Sequence, residues 1–177
     1  TLEYSATGTF ASTPDAVVVV ISEQPYAEGS GDLQNLDWGA SGVLNQVQGL
    51  RDSGIPVITL LMSGRPMFIN PELNLSDAFV ASWLPGTEAA GISDVLFTDA
   101  QGTAVHDMTG RLSFSWPGGA INPTSAEAPV AAALFDRDYG LSYSDNHDLP
   151  TLTEDPNNSE SGIVEGSGSG GGTGGGN

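Results

Sequence analysis

The sequence of 177 residues contains no cysteine. This absence excludes disulfides, thiolate nucleophiles and metal sites built on cysteine. The sequence also lacks lysine, so its four cationic side chains are all arginines, set against 22 acidic residues. A surface this acidic repels phosphate backbones and anionic lipid, which argues against a nucleic-acid partner and a membrane-surface role. No run approaches the roughly 20 apolar residues that span a bilayer, so we expect no membrane insertion.

The two ends of the chain differ from its middle. "TLEYSATGTF" at the start has no charged segment followed by an apolar one, so it does not predict a signal peptide. It also lacks an initiator methionine, and we expect a mature form or a fragment of a longer protein. Pro, Asn, Ser, Thr and Gly dominate at the other end, which predicts a disordered Gly/Ser-rich linker over residues 147–177. The ordered domain is then expected over residues 1–146.

Two apolar runs in the middle of the chain predict strands of a parallel sheet. Residues 17–21 and 55–62 are apolar without alternation, which is typical of strands buried on both faces. Between them, residues 41–53 follow a helical period and end at Gly54. The apolar stripe of this predicted helix consists of Val43, Leu44, Val47 and Leu50.

Further segments continue the same alternation. We expect a short strand over residues 77–83, then a helix in "LPGTEAAGISDVLF" with Thr87 as its N-cap, and strand-like residues over 111–116. The order strand, helix, strand, strand, helix predicts an α/β layered sandwich with a mostly parallel sheet. Because only three or four strands are visible, we expect this sheet to be an incomplete part of a larger domain.

The segment "EQPYAEGSGDL" (residues 23–33) is the first candidate for a functional site. It follows the first predicted strand, and ligands of open α/β sheets bind beyond the carboxyl ends of the strands. It carries the acidic residues Glu23, Glu28 and Asp32, and an aromatic ring at Tyr26. A carboxyl group partly desolvated by a ring has a raised pKa and suits general acid catalysis. From the residues alone, a solvated loop carboxylate is the more common role for a glutamate such as Glu28.

Other chemistries have weaker patterns in this sequence. "GSG" after the strand lacks the third glycine of a dinucleotide site, and Glu28 and Asp32 would repel the phosphates. Residues 136–138 begin like a calcium loop, but the later ligands are missing. His106 and His147 lie far apart without an H-E-x-x-H motif, and no G-x-S-x-G elbow is present. We therefore expect neither a metal site nor a cofactor.

The segment "AVVVVISEQPYAEGSGDL" resembles the stretch of glycoside hydrolase family 3 enzymes that carries their acid/base glutamate. The family pattern is a run of valines followed by G-E-x-P-Y-x-E-x-x-G-D, and Ser22 replaces the first glycine. The segments "PVITLLMSGRPMFI", "DAFVASWLPGTEAAGISDVLFTD", "GRLSFSWP" and "DYGLSY" are similar to further family segments in the same order. The similar segments span roughly residues 14–143, with departures at Ala90, Thr98 and residues 136–138.

This resemblance implies a retaining β-glucosidase or exo-β-glucanase, which releases glucose from the non-reducing ends of β-glucans or β-gluco-oligosaccharides. In such enzymes a barrel domain supplies a nucleophilic aspartate, and the following α/β sandwich supplies the acid/base glutamate. Glu28 corresponds to that glutamate, with Tyr26 and Asp32 as residues that support it or bind substrate. The chain is then an incomplete part of the second domain of a two-domain, secreted or periplasmic enzyme. Without the missing N-terminal barrel domain we expect it to be inactive.

A second interpretation belongs to another class of protein. The chain is then a non-catalytic carbohydrate-binding or packing module, with Trp38, Trp83 and Trp116 as platforms for sugar rings. Aromatic side chains do stack on sugar faces, although three tryptophans in a domain of this size are more often part of the core. Burial of the three rings distinguishes these roles.

Overall fold

The computed structural model describes residues 2–33, 35–39, 41–120, 133–145 and 147–157. Strands β1 (Val17–Ser22), β2 (Val57–Met62) and β3 (Ala78–Ala81) form a parallel sheet in that order. The three strands coincide with the predicted ones to within two residues at each end. The predicted α/β fold with a parallel sheet is confirmed.

Helix α1 (Ser41–Asp52) connects β1 to β2, as its apolar period predicts. Val47 is buried, while Val43, Leu44 and Leu50 are half-buried, so the predicted stripe does face inward. Gly54 follows with φ +74°, in the left-handed region that ends helices at glycine. In the part of the chain that the structure describes, no helix is long and apolar enough to cross a bilayer.

The central strand β2 and the edge strand β1 differ in burial. β2 pairs on both edges and is almost entirely buried. β1 pairs only with β2 among the described strands, and its side chains alternate: Ile21 is 3% exposed, whereas Val18 and Val20 are 39% and 57% exposed. The prediction that this run is buried on both faces is therefore wrong for the described residues, because nothing there covers the outer face.

The later elements are shorter than predicted. Helix α3 (Ala90–Leu96) follows a 3-10 turn, and its N-cap is Ala89. Thr87 is not the N-cap, because it lies inside the 3-10 turn Gly86–Glu88, where its hydroxyl donates to the carboxylate of Glu88 at 3.2 Å. Of the strand expected over residues 111–116, only the last residue is in a strand, β4 (Trp116–Pro117), which pairs antiparallel with β5 (Ala133–Phe135).

One hydrophobic core joins the two sheets. The Trp116 ring is buried in this core, and its Nε1 donates to the carbonyl of Met67 at 2.8 Å. The core contains side chains from both sheets, from the turn after β2 and from the end of the described chain: Ile21, Leu61, Met67, Ile69, Leu73, Trp116, Leu134, Phe135 and Leu152.

Helix α2 (Asn70–Asn74), which the sequence analysis missed, anchors residues 147–157. Asn74 exchanges hydrogen bonds with the backbone of Leu152, Nδ2 donating at 3.0 Å and Oδ1 accepting at 2.9 Å. Asn70 Nδ2 donates to the carbonyl of Thr153 at 2.9 Å. This packing differs from the linker predicted from residue 147, because Leu152 gives the segment an apolar anchor. Residues 158–177 lie outside the described residues.

Candidate active site

The loop after β1 presents Glu28 on a short turn. Residues Glu28–Gly31 form a 3-10 turn that follows the extended Ala27. Glu28 has φ 48°, an uncommon backbone conformation for a residue other than glycine. The turn is closed by a hydrogen bond of 3.2 Å from the Asp32 N–H to the Gly29 carbonyl. The Glu28 side chain is exposed, and no ion pair within the described residues involves it.

An ion pair joins this loop to the loop after β2. Arg65 Nε lies 2.9 Å from Glu23 Oε1, and the two side chains are 20% and 9% exposed. The other oxygen of Glu23 accepts a hydrogen bond of 3.2 Å from the Gly64 N–H. The residues meet because β1 and β2 are parallel and end in register, with Ser22 opposite Met62. A charge-assisted, mostly buried pair therefore connects the two loops at the carboxyl edge of the sheet.

Tyr26 packs between the same two loops. Its ring centroid lies 4.3 Å from Arg65 Cζ, a cation–π arrangement, and its hydroxyl lies 3.4 Å from Glu23 Oε2. Two glycines make room for it: a Cβ at Gly31 would lie 2.4 Å from the ring, and one at Gly64 would lie 2.6 Å from the hydroxyl. Nη1 of the arginine also donates to the Gly31 carbonyl. Tyr26 thus contributes to the packing of the 3-10 turn, and its role in catalysis stays a prediction.

An open groove of about 690 Å³ lies beside the loop. Apolar side chains of Trp38, Val43 and Met67 line it together with Glu23, Tyr26 and Arg65. Glu28 is not among the lining residues, so its carboxylate faces solvent rather than a pocket of this chain. Another groove, of about 540 Å³, lies between residues 7–14 and α1, and it has no titratable lining residue.

The remaining predicted residues lie apart from this cluster. Asp32 is exposed, and its side chain forms no hydrogen bond or ion pair with the described residues, so only its backbone N–H takes part in the contacts that hold the turn. Trp116 belongs to the core, which excludes it as a sugar platform. Trp83 is half-buried and packs against Trp116, with ring centroids 5.9 Å apart. Of the three tryptophans, only Trp38 lines the groove beside the loop.

Sequence reasoning missed the contribution of Arg65. The signal was present, because this arginine is one of only four cations and follows the strand next to β1. Cations are scarce in this chain, so an arginine at the carboxyl end of a neighbouring strand is a candidate partner for a loop carboxylate. Its partner Glu23, however, is 42 positions away in the sequence, and only the strand register brings the two together.

A further acidic residue, Glu72 on α2, is buried away from this loop. It is 6% exposed, and its Oε2 has no hydrogen-bond partner among the described residues. Burial raises the pKa of Glu72 to about 7, and the nearby carboxylates of Asp37 and Glu154 act in the same direction. The Glu72 backbone N–H partly offsets this increase. No group of three or more His, Cys, Asp or Glu in the described chain is arranged to hold a metal ion.

Known proteins resemble this chain in sequence and in structure. It is 36% identical over 142 residues to the lysosomal beta glucosidase of Dictyostelium discoideum, which covers 76% of this chain and 16% of that protein. It is 32% identical over 109 residues to the periplasmic beta-glucosidase of Salmonella typhimurium, covering 60% and 13%. The structure of an exo-1,3/1,4-beta-glucanase from a Pseudoalteromonas species superposes with a TM-score of 0.76 at 45% identity, covering 85% and 19%.

These matches cover most of this chain but only a small part of each relative. The chain spans less than a fifth of the length of each of these three proteins. Within the chain, the match to the family model named "Glycosyl hydrolase family 3 C-terminal domain" covers residues 3–143. That range contains the parallel sheet, the Glu28 loop and the arginine that braces it. This chain therefore belongs to glycosyl hydrolase family 3, whose C-terminal domain it matches.

Proposed function

We propose that this chain supplies the acid/base carboxylate of a retaining β-glucosidase or exo-β-glucanase, and that Glu28 is this carboxylate. The observation that carries the proposal is the geometry of the loop after β1. There an exposed glutamate stands on a turn braced by a buried ion pair, at the edge of the sheet where ligands of α/β folds bind. Membership of glycosyl hydrolase family 3 supports a glycosidic substrate.

The proposed mechanism needs a second carboxylate that this chain does not supply. Retention requires two carboxyl groups about 5–5.5 Å apart, one attacking the anomeric carbon and the other protonating the leaving oxygen. Glu28 would donate its proton to that oxygen as the bond to the anomeric carbon breaks. It would then take a proton from the water that releases the glucosyl-enzyme. The nucleophile would come from a preceding barrel domain, whose surface would close the site over the exposed turn.

The proposed substrates are β-glucans and β-gluco-oligosaccharides, cleaved from their non-reducing ends with release of glucose. The names of the relatives support this class, since they include beta-glucosidases and an exo-1,3/1,4-beta-glucanase. We also propose a secreted or periplasmic location. One relative is named periplasmic and another lysosomal, and the acidic surface of this chain suits such media.

The test is Glu28→Gln in the enzyme encoded by the native reading frame. We expect cleavage of cello-oligosaccharides to fall roughly 100-fold or more, because their leaving groups need protonation. An aryl β-glucoside with a good leaving group should lose far less in its first step, and azide should partly restore turnover. Asp15→Asn, an exposed acid before β1 at the other end of the sheet, is the matched control. Equal losses on both substrates would contradict the proposal.

The second candidate function is a non-catalytic carbohydrate-binding module. The half-buried Trp38 favours it, since its side chain lines the open groove beside the loop. Titrating the isolated chain with cello- and laminari-oligosaccharides while following tryptophan fluorescence separates the two candidates. Saturable quenching supports a binding module, whereas no response and no hydrolysis support half of an active site.

A further inference from the structure

One side chain contacts the Glu28 loop at three points. The Arg65 guanidinium pairs with Glu23 at the start of the loop, stacks on Tyr26 and donates to the Gly31 carbonyl at the end of the 3-10 turn. These contacts lie before and after position 28 in the sequence. We propose that Arg65 is a positioning residue that fixes the Glu28 turn against the loop after β2, an inference that rests on the proposed role of Glu28.

The turn has few contacts of its own that would fix it. Its internal backbone hydrogen bonds are long, 3.3 Å from Ser30 to Ala27 and 3.2 Å from Asp32 to Gly29. Glu28 has a positive φ, which costs free energy for a residue with a side chain and persists only where the surroundings impose it. The surrounding contacts that can impose it here are those of Tyr26 and Arg65.

The contacts require an arginine rather than any cation. Nε binds a carboxylate, Nη1 binds a carbonyl, and the planar face stacks on a ring, so three different parts of one rigid group are used. A lysine carries its charge at one point and lacks this planar fork. Arg65 is mostly buried, and its charge is balanced by Glu23. It therefore acts on the reaction through the Glu28 turn, without touching the reacting atoms.

The experiment compares Arg65→Lys with Glu28→Gln in the complete enzyme. A misplaced carboxyl group loses catalytic power steeply, about 100-fold for a displacement of about 1 Å. We expect Arg65→Lys to lower kcat on cello-oligosaccharides roughly 10- to 100-fold and to change KM by no more than about twofold. The first step on an activated aryl β-glucoside, followed as kcat/KM, should change far less. Arg51→Lys on α1 replaces an exposed arginine and is the matched control. It should leave the cleavage of both substrates unchanged.

The double variant separates positioning from a general structural effect. If Arg65 acts through Glu28, then Arg65→Lys should add almost nothing, within about twofold, once Glu28→Gln is present. Multiplicative losses in the double variant would overturn the positioning role, as would equal losses on both substrates. If Glu28→Gln itself shows no dependence on the leaving group, the proposed function fails first, and the two failures are distinguishable.

A second variant disturbs the contact between Tyr26 and Arg65 while both partners of the Arg65–Glu23 ion pair remain. Gly64→Ala places a Cβ 2.6 Å from the Tyr26 hydroxyl, so the ring must shift from the position in which it stacks on the arginine. We expect the same substrate-dependent loss of kcat, about 10-fold. Adding Tyr26→Phe removes the clashing oxygen, and the double variant should return to within about threefold of Tyr26→Phe alone. If the folded double variant shows no such rescue, the proposed positioning of the Glu28 turn by these contacts is contradicted.

Discussion

Two glutamates whose carboxylates are largely shielded from solvent, Glu23 and Glu72, are held in opposite ways. Glu23 lies at the carboxyl edge of the sheet, where Arg65 neutralises it and the Gly64 N–H donates to it. Glu72 lies on α2, where its Oε2 has no hydrogen-bond partner among the described residues, and the carboxylates of Asp37 and Glu154 that act on it have its own sign. Their burial is similar, so the difference lies in the partners.

The contrast between these glutamates indicates how a very acidic chain uses its few cations. Burying a carboxylate is costly unless it is paired, and a group without a partner retains its proton instead. With four arginines against 22 acids, most acidic side chains have no cation to pair with. One arginine is used at the proposed active-site loop, whereas on α2 burial raises the pKa of Glu72 to about 7, so that a bound proton removes its charge below that pH.

Removing the cation is expected to have the largest effect on stability. Arg65→Met keeps the length of the side chain but leaves Glu23 buried and unpaired, which should lower the free energy of unfolding by about 3–5 kcal/mol. Urea denaturation of the chain at pH 7 measures this change. Adding Glu23→Gln should recover a large part of the loss. A decrease below about 1 kcal/mol would mean that the pair is solvated and does not fix the loops.

A pH series is expected to have an intermediate effect through Glu72. The folded chain retains this proton up to about pH 7, whereas the unfolded chain releases it near pH 4.5, so the folded state binds more protons in between. The contribution of Glu72 is therefore complete below about pH 4.5 and is lost as pH rises through 7. Over this pH range, the loss in the free energy of unfolding is up to about 3 kcal/mol.

The difference between Glu72→Gln and the parent chain isolates this contribution. In denaturation experiments from pH 4.5 to 8, the free energy of unfolding of the variant should rise relative to that of the parent as pH increases. The difference should become constant above about pH 7. Glu88→Gln, an exposed acid in the turn before α3, is the matched control and should give a constant difference. A constant difference for Glu72→Gln as well would show that this carboxyl group is ionised when folded.

The smallest effect is expected at the other ion pair in the described chain. Arg137 Nε lies 3.4 Å from Asp138 Oδ2, and the two side chains are 70% and 76% exposed. Solvent screens such a pair, so Arg137→Ala should change the free energy of unfolding by no more than about 0.5 kcal/mol. The same urea experiment measures it. A loss comparable to that of Arg65→Met would show that burial does not explain the difference between the two pairs.

Local sequence was sufficient for the elements that carry the proposed site. The continuous apolar runs predicted β1 and β2, and the stripe ending at Gly54 predicted α1. The pattern around Glu28 was enough to identify the family, whose match covers residues 3–143. These features depend on neighbouring residues in the chain, so short windows of sequence contain the information.

Packing between distant segments could not be predicted in the same way. Leu152 and the Asn74 side chain meet although 78 positions separate them, so a segment with the composition of a linker packs on the core. Val18 and Val20 look like any buried valines in sequence, yet their face is exposed in the described chain. Burial depends on what covers a residue, and composition does not contain that information.

Residue patterns alone were enough to predict the strands of the parallel sheet, helix α1, the family and the glutamate at position 28 as a candidate acid/base. They did not indicate which acidic groups are neutralised, or by what, and the folded arrangement was needed for that. Arg65 reaches Glu23 because two parallel strands end in register, and the pKa of Glu72 is raised because folding buries it, with the carboxylates of Asp37 and Glu154 adding to the increase. Helices and strands depend on local patterns, whereas the state of a buried charge depends on groups that only folding brings together.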